Sequence, residues 1–441
     1  MNVNHSGKNY NMFKDILKQN FEHDQSKIFT FTIRHLSFTI YNINCNTHII
    51  SNNHFIHLWC FMITRRSLLK AGVFGACSLC LGNKLGAWAE DIYTPEALKG
   101  MNQGFPVKEA MHYKKLEDLR VQCELCPRKC TIADMERGYC GVRENRGGTY
   151  YTLVHSRVCA MNIDPIEKKP LFHYLPGTKA YSLATAGCNV ECKFCQNWQI
   201  SQYRPEQVES IKLTPEDVIK DAKMNGSKTI AFTYSEPVVF YEYMFDTARL
   251  GKEQGFKSVM ISNGYIQEKP LTELCQHLSA VKIDLKGFTE KFYQDICTGE
   301  LKPVLNTLTT LKKTGIWFEI VMLVIPTLND SEKEFKEMCA WIKDNLGPDV
   351  PVHFTRFHPT YKIKNLPPTP VKTLEMARNT ALDVGLHFPY IGNVPGHEGE
   401  NTYCPHCKHV LIRRAGFSIL ENGVKDNKCK ECEQTVPGVW A

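Results

Sequence analysis

The 441-residue chain is 43% apolar and 22% charged, the balance of a folded protein with a sizeable core rather than a disordered or fibrous one. Its net charge of +7 does not indicate a nucleic-acid partner, because the excess is local: residues 1–89 hold nine Lys/Arg against three Asp/Glu, and the rest hold 44 against 43. Nineteen cysteines, most of them in three spaced groups, point to metal ligation ahead of a disulfide framework.

Residues 1–61 hold ten Asn and six His, with little helical or strand periodicity and no evident chemistry. They read as a leader, with Met62 as an alternative start and 1–61 as upstream sequence. Met62-Ile-Thr-Arg-Arg-Ser-Leu-Leu-Lys70 is similar to a twin-arginine export signal, followed by an apolar stretch from Ala71 to Leu81 and a small-x-small site at Ala87-Trp88-Ala89. The expectation is a signal over 62–89, too short to span a membrane stably. Such a signal implies assembly in the cytoplasm and export in the folded state; without it, the protein stays in the cytoplasm.

A first cysteine module is expected over 110–160. It reads Cys123-Glu-Leu-Cys126-Pro-Arg-Lys-Cys130, then Cys140 between Tyr139 and Gly141. Four thiols at this spacing suit tetrahedral zinc or an iron–sulfur cluster, and a structural role is the simpler reading. Asp164 to Gly177 is punctuated by Pro and Gly and reads as a solvated connector; Lys168, Lys169 and His173 within it are not assigned to a site.

From 175 to 390 apolar strands alternate with helical stretches. The strand candidates are Tyr181–Ala186, Lys228–Thr233, Lys257–Ile261, Ala280–Leu285, Trp317–Val324 and Val352–Phe357. Helix starts fall at Thr214-Pro215-Glu216, at Ser331 with Glu334 as a capping box, and at Thr369-Pro370, with Gly385 as a stop. The alternation predicts an α/β fold with a parallel sheet and right-handed crossovers. Six units suggest a partial (β/α)6 TIM-type barrel, with a doubly wound open sheet as the competitor.

The first of these strands runs into Gly187 and Cys188-Asn-Val-Glu-Cys192-Lys-Phe-Cys195. Three soft ligands in so tight a loop suit an iron–sulfur cluster with one iron left open. Polar residues also end the other strands: Tyr234-Ser-Glu236-Pro, Ser262-Asn263-Gly, Asp284-Leu-Lys286 and Arg356-Phe-His358-Pro. Carboxyl ends of strands are where barrels and open α/β sheets bind ligands. The remaining cysteines of the folded region, Cys159, Cys275, Cys297 and Cys339, read as small buried hydrophobes.

The C-x3-C-x2-C loop with an aromatic, Phe194, before its last cysteine resembles the radical S-adenosylmethionine (SAM) superfamily. The Asp164–Gly177 stretch, Cys-Pro-Arg-Lys-Cys and the C-terminal knuckles resemble the radical SAM component of the AmmeMemoRadiSam system, a family related to glycyl-radical-enzyme activases such as pyruvate formate-lyase activating enzyme. The resemblance covers about 110–441. It implies that Cys188, Cys192 and Cys195 hold a [4Fe-4S] cluster whose open iron is chelated by SAM. Reductive cleavage of SAM to a 5'-deoxyadenosyl radical and hydrogen abstraction from an unknown substrate would follow, with a flavodoxin- or ferredoxin-type electron donor. By motif position Glu236 would receive the SAM ammonium, Lys286 its carboxylate, Asp284 and Asn263 the ribose, and His358 the adenosyl part or the substrate. The superfamily's Gly-Gly-Glu after the second strand is here Tyr-Ser-Glu-Pro, which removes the glycines that make backbone contacts. The alternatives are a glycyl-radical activase with a protein substrate, an AmmeMemo partner for the SAM enzyme, and a non-catalytic iron–sulfur electron-transfer protein.

Cys404-Pro-His-Cys407 and Cys429-Lys-Glu-Cys432, with a hairpin-like insert from Val410 to Leu420, read as a zinc ribbon over 400–441. A module this small needs its metal to fold.

Overall fold

The computed structural model describes residues 105–441, together with the backbone of four strands between Phe29 and Leu58. The chain divides into two units, Met1–Thr94 and Pro95–Ala441. In the first, Phe29–Ile33, Leu36–Ile43, Asn46–Ser51 and His54–Leu58 pair as an antiparallel meander, where the sequence suggested no strands. The twin-arginine-like stretch at 62–89 lies outside the described residues.

The second unit is built on one eight-stranded sheet. Its strands are β1 (Ala160–Pro165), β2 (Lys179–Ala184), β3 (Thr229–Phe232), β4 (Lys257–Ser262), β5 (Ala280–Asp284), β6 (Trp317–Val324), β7 (Val352–Arg356) and β8 (Pro389–Gly392). They stand in chain order, β1 antiparallel to β2 and every later pair parallel. Six helices make the crossovers: α1 (Pro215–Met224), α2 (Tyr241–Glu253), α3 (Glu268–Cys275), α4 (Leu301–Thr314), α5 (Glu332–Leu346) and α6 (Val371–Val384). Because the order never reverses, there is no switch point of the kind a doubly wound sheet has. The fold is a (β/α)6 partial barrel extended by β8 and by the antiparallel β1, and no ladder joins β1 to β8 among the described residues.

Helix ends follow local chemistry with two departures from the expected caps. Thr214 Oγ1 accepts from Asp217 N at 3.3 Å and Asp217 accepts from Thr214 N at 3.0 Å, with Pro215 at the first helical position. At α5, Ser331 accepts from Glu334 N, but the Glu334 carboxylate accepts from Phe288 N at 2.6 Å instead of returning to Ser331, so the box is half formed. At α6, Thr369 Oγ1 accepts from Phe357 N and donates to Val324 O; it ties strand ends rather than capping the helix. Gly385 stops α6 at φ 100°, as anticipated.

Period-two alternation sorts each strand. Outward residues such as Ile230, Met260, Ile283 and Ile320 join the core beneath the helices. The lower inner face is filled by the stretch after β1. Ile166, Leu171, Tyr174 and Leu175 pack on Ala180, Ala231, Val259 and Ala280. The expected solvated connector is therefore a buried plug: its Pro and Gly punctuate a tight path rather than an exposed one. Glu319, in the middle of β6, accepts from the Phe172 and His173 amides at 2.9 and 2.8 Å and from His353 at 2.8 Å.

The N-terminal module consists of two small antiparallel sheets, one of Tyr113–Lys115, Val121–Cys123 and Thr131–Ile132, the other of Lys108–Glu109, Thr149–Thr152 and Arg143–Arg146. A fully buried ion pair, Arg143 to Glu242 at 2.7 Å, fastens it to α2. The C-terminal module pairs Val410–Ala415 with Ser418–Asn422 and packs its core, including Leu411 and Ile412, on Phe172, Phe388 and Tyr390. The chain end holds the plug from outside: Val439 N donates to His173 O and Leu175 N to Val439 O, both at 2.7 Å.

Candidate active site

β2 ends by delivering its chain through Gly187, at φ 102°, into the Cys188–Cys195 loop. The loop is pinned from several sides. Gly187 N donates to Ile200 O, Glu191 N to Cys297 O and Lys193 N to Ile296 O, at 2.9–3.0 Å. Phe194 is buried beneath it. Arg128, in the N-terminal module, bonds the Asn189 carbonyl and the Thr298 carbonyl, and its guanidinium stacks 3.5 Å from the Tyr139 ring centroid. The loop is thus held by the protein's own hydrogen bonds and packing.

Cys188, Cys192 and Cys195 open onto one cavity of about 290 Å³ at the carboxyl end of the sheet, near the lower bound for small-molecule sites. Glu236, Asn263, Asp284 and Lys286 line the same cavity. His358 does not: it is exposed, because the chain leaves β7 at Arg356 and turns its next buried side chain, Phe357, into the core. The residue β7 contributes is Thr355.

The sequence reading passed over further lining groups. Lys282 lies two positions before Asp284 and so on the same inner face of β5; it lines the cavity and pairs with Asp284. Strand alternation alone would have found it. Lys168 and Pro170 reach the cavity from the plug, while Lys169 is buried and bonded to Asp164. Cys297 carried no sequence signal; the structure places its buried thiol near Cys192, close enough for each to perturb the other.

The electrostatics are those of charges drawn out of water in compensating sets. Burial pushes the Asp284 carboxyl up, but Lys282 and Lys286 outweigh it and hold it below its ordinary value. Burial pulls Lys286 down, yet Asp284 and Cys192 outweigh that and leave the ammonium firmly charged. Burial lowers Lys282 in spite of Asp284. Burial and the neighbouring Glu236 raise the Cys188 thiol. Glu236 is 2% exposed; burial raises it, against hydrogen bonds from Asn263 N, Val238 N and Ser262 Oγ. Tyr234 takes the left-handed backbone, φ 65°, that glycine favours, and its hydroxyl anchors on Asp164.

Three thiols, one carboxylate bonded to the end of β4 and to its own loop, and a Lys–Asp–Lys set fit a site-differentiated cluster with a zwitterionic ligand beside it. Residues 182–339 match the family described as Radical SAM superfamily. An uncharacterized protein of Methanocaldococcus jannaschii is 47% identical over 332 residues, covering 75% of this chain and 99% of that protein. The pyruvate formate-lyase-activating enzyme of Clostridium pasteurianum is 24% identical over 170 residues, 36% of this chain and 67% of that one. A crystal structure of a radical SAM methyltransferase from Sphaerobacter thermophilus has a TM-score of 0.41 at 12% identity, covering 69% of this chain and 83% of that chain. The chain belongs to the radical SAM superfamily, a family that implies a [4Fe-4S] cluster and SAM.

Four further cysteines, Cys404, Cys407, Cys429 and Cys432, bring their sulfurs within 4.8 Å of one another. No helix among the described residues is long and apolar enough to cross a membrane.

Proposed function

We propose that the protein uses Cys188, Cys192 and Cys195 to hold a [4Fe-4S] cluster and the adjoining cavity to hold SAM. The observation that carries this is the convergence of the three thiols with Glu236, Asn263, Asp284 and Lys286 on one cavity. The chemistry supplied by the bound pair is reductive cleavage of the sulfonium and hydrogen abstraction from a substrate.

The chain's own residues bind and orient. Glu236, fixed by donors from β4, offers a carboxylate to the SAM ammonium; Lys286, kept charged, faces the carboxylate. Asn263 and Asp284 serve the ribose hydroxyls. Phe194, buried within the loop, keeps water from the cluster's inner side. His358 has no part in this arrangement. The four sulfurs of the C-terminal module hold zinc: Cys404 and Cys432 stand 3.6 Å apart and Cys407 and Cys429 3.8 Å, against about 3.8 Å for a tetrahedral ion with 2.3 Å bonds.

The electron donor is a flavodoxin- or ferredoxin-type protein. The named activase among the relatives supports a second reading, in which the hydrogen comes from a partner enzyme's backbone glycine; the AmmeMemo association is the other partner reading. The test is anaerobic reconstitution, reduction with dithionite and assay for 5'-deoxyadenosine. Wild-type protein forms it, and Cys192→Ala loses both the product and the cluster's broad visible absorption. Product formation by Cys192→Ala at the wild-type rate would refute the proposal.

A further inference from the structure

The two four-cysteine groups differ in a way that decides what each can hold. In the C-terminal module all four sulfurs lie within 4.8 Å of one another, the spacing of ligands sharing one ion. Cys123, Cys126, Cys130 and Cys140 also face a single internal cavity. Yet among the described residues no three of them come within that 4.8 Å. Sulfurs sharing a zinc ion must approach to about 3.8 Å. Sulfurs that each bind a different corner of a cubane stand further apart, and four cysteines are the usual complement of a [4Fe-4S] cluster.

The walls fit the larger group. Leu125, Val238, Val239 and Tyr150 give the cavity an apolar lining, the low-dielectric surround that tunes such clusters. Arg143 lines it too, and its guanidinium charge is already bonded to Glu242. The Arg143 Nε–H, by contrast, is buried with no protein partner. A buried donor left unpaired is costly, and a cluster sulfide or thiolate would satisfy it.

The cavity abuts the cluster loop. A Cβ placed on Gly187, the residue before Cys188, would lie 3.1 Å from the Cys140 carbonyl oxygen. Asn189, the residue after Cys188, lines the cavity itself. Arg128, between Cys126 and Cys130, bonds the Asn189 carbonyl at 2.5 Å. Tyr139 lines the cavity and is 43% exposed, so the module connects solvent to the loop.

We propose that the N-terminal module holds a second [4Fe-4S] cluster that passes electrons to the one at Cys188, Cys192 and Cys195. One electron leaves a reduced flavodoxin- or ferredoxin-class protein and takes the second cluster from the 2+ to the 1+ state. The same electron then moves to the first cluster and restores the second to 2+. The direction of transfer rests on the function proposed above; the presence of the cluster does not.

The full chain is reconstituted anaerobically and counted for iron, sulfide and zinc. Wild type is expected to hold about eight irons, about eight sulfides and one zinc, and the Cys188→Ala/Cys192→Ala/Cys195→Ala variant about four irons with the zinc retained. The reduced variant gives an electron paramagnetic resonance signal that SAM does not change. Four irons and two zincs in wild type overturn the proposal, and that count needs no variant to fold. Eight irons with no spectral response to SAM would instead remove the SAM-binding reading and leave the second cluster standing. When reduced flavodoxin is mixed with wild type carrying SAM, the SAM-insensitive signal rises before the SAM-sensitive one; the opposite order overturns the relay.

Discussion

Three donors converge on the Glu236 carboxylate: Val238 N at 3.0 Å, Ser262 Oγ at 2.7 Å and Asn263 N at 2.9 Å. They fix its position but leave its charge without a cation in hydrogen-bond contact, and a ligand ammonium would supply one. Glu236→Gln keeps the shape and removes the charge. Loss of a charge-assisted hydrogen bond is worth about 1.5–3 kcal/mol, so the Kd for SAM should rise roughly 10- to 100-fold with the iron content unchanged; an unaltered Kd by equilibrium dialysis would contradict the role. His173 makes a second prediction at this scale. Its Nδ1–H donates to the Pro437 carbonyl at 2.7 Å, and its Nε2 accepts from the Tyr390 hydroxyl at 2.6 Å. Burial, against Glu319, lowers its pKa to about 4, with Arg414 and His353 adding to the decrease. The unfolded chain takes up this proton near pH 6.5 and the folded protein only near pH 4. Stability is therefore complete above about 6.5 and falls by about 3 kcal/mol as pH drops through that window. In His173→Gln the urea midpoint should change less between pH 7.5 and 5 than in wild type; equal slopes would exclude this histidine as a source of the acid sensitivity.

Elements were legible where one physical requirement acted alone. The six strands announced by Val, Ile and Phe runs occur within two residues of their expected ends, because parallel strands buried on both faces read as near-continuous apolar runs. β1 was hidden: as an edge strand it leaves Met161 and Ile163 exposed and ends at a proline. β8 is four residues long, too short to show a strand period, and is not among the expected strands. The plug was misread because Pro170, Pro176 and Gly177 mark turns without saying that Leu171 to Leu175 between them are buried. At the site, cysteine spacing and strand-end polarity exposed seven lining residues, whereas Lys282 required counting inward positions along β5, and Cys297 lies about a hundred residues from Cys192, the thiol it neighbours. The join between β2 and the cysteine loop gives the test at this scale. A Cβ on Gly187 would stand 2.5 Å from Val142 Cγ1, at a φ of 102°. Gly187→Ala should destabilise the protein by about 2–4 kcal/mol through combined strain and overpacking, seen as a lower denaturant midpoint and reduced iron loading; a wild-type midpoint would show that the module does not press on the loop.

Across the whole molecule, two cysteine modules bracket the barrel at different places. The N-terminal one meets the cluster loop through Cys140 and Arg128. The C-terminal one covers the plug, with Arg414 donating to the Phe172 carbonyl at 2.9 Å and Trp440 packing near His173. The metal proposed for the C-terminal module would therefore support the barrel floor and not the chemistry. Cys407→Ser should lose the single zinc and lower the denaturant midpoint while the cluster iron stays bound, by metal count; loss of iron in step with zinc would place the module at the active site instead. The most direct measurement is the electron paramagnetic resonance spectrum of the dithionite-reduced protein before and after addition of SAM. The account predicts that SAM alters the signal of the cluster at Cys188, Cys192 and Cys195 in wild type and that the altered component is missing from Cys192→Ala. A fully iron-loaded wild-type protein whose spectrum is the same with and without SAM would contradict it.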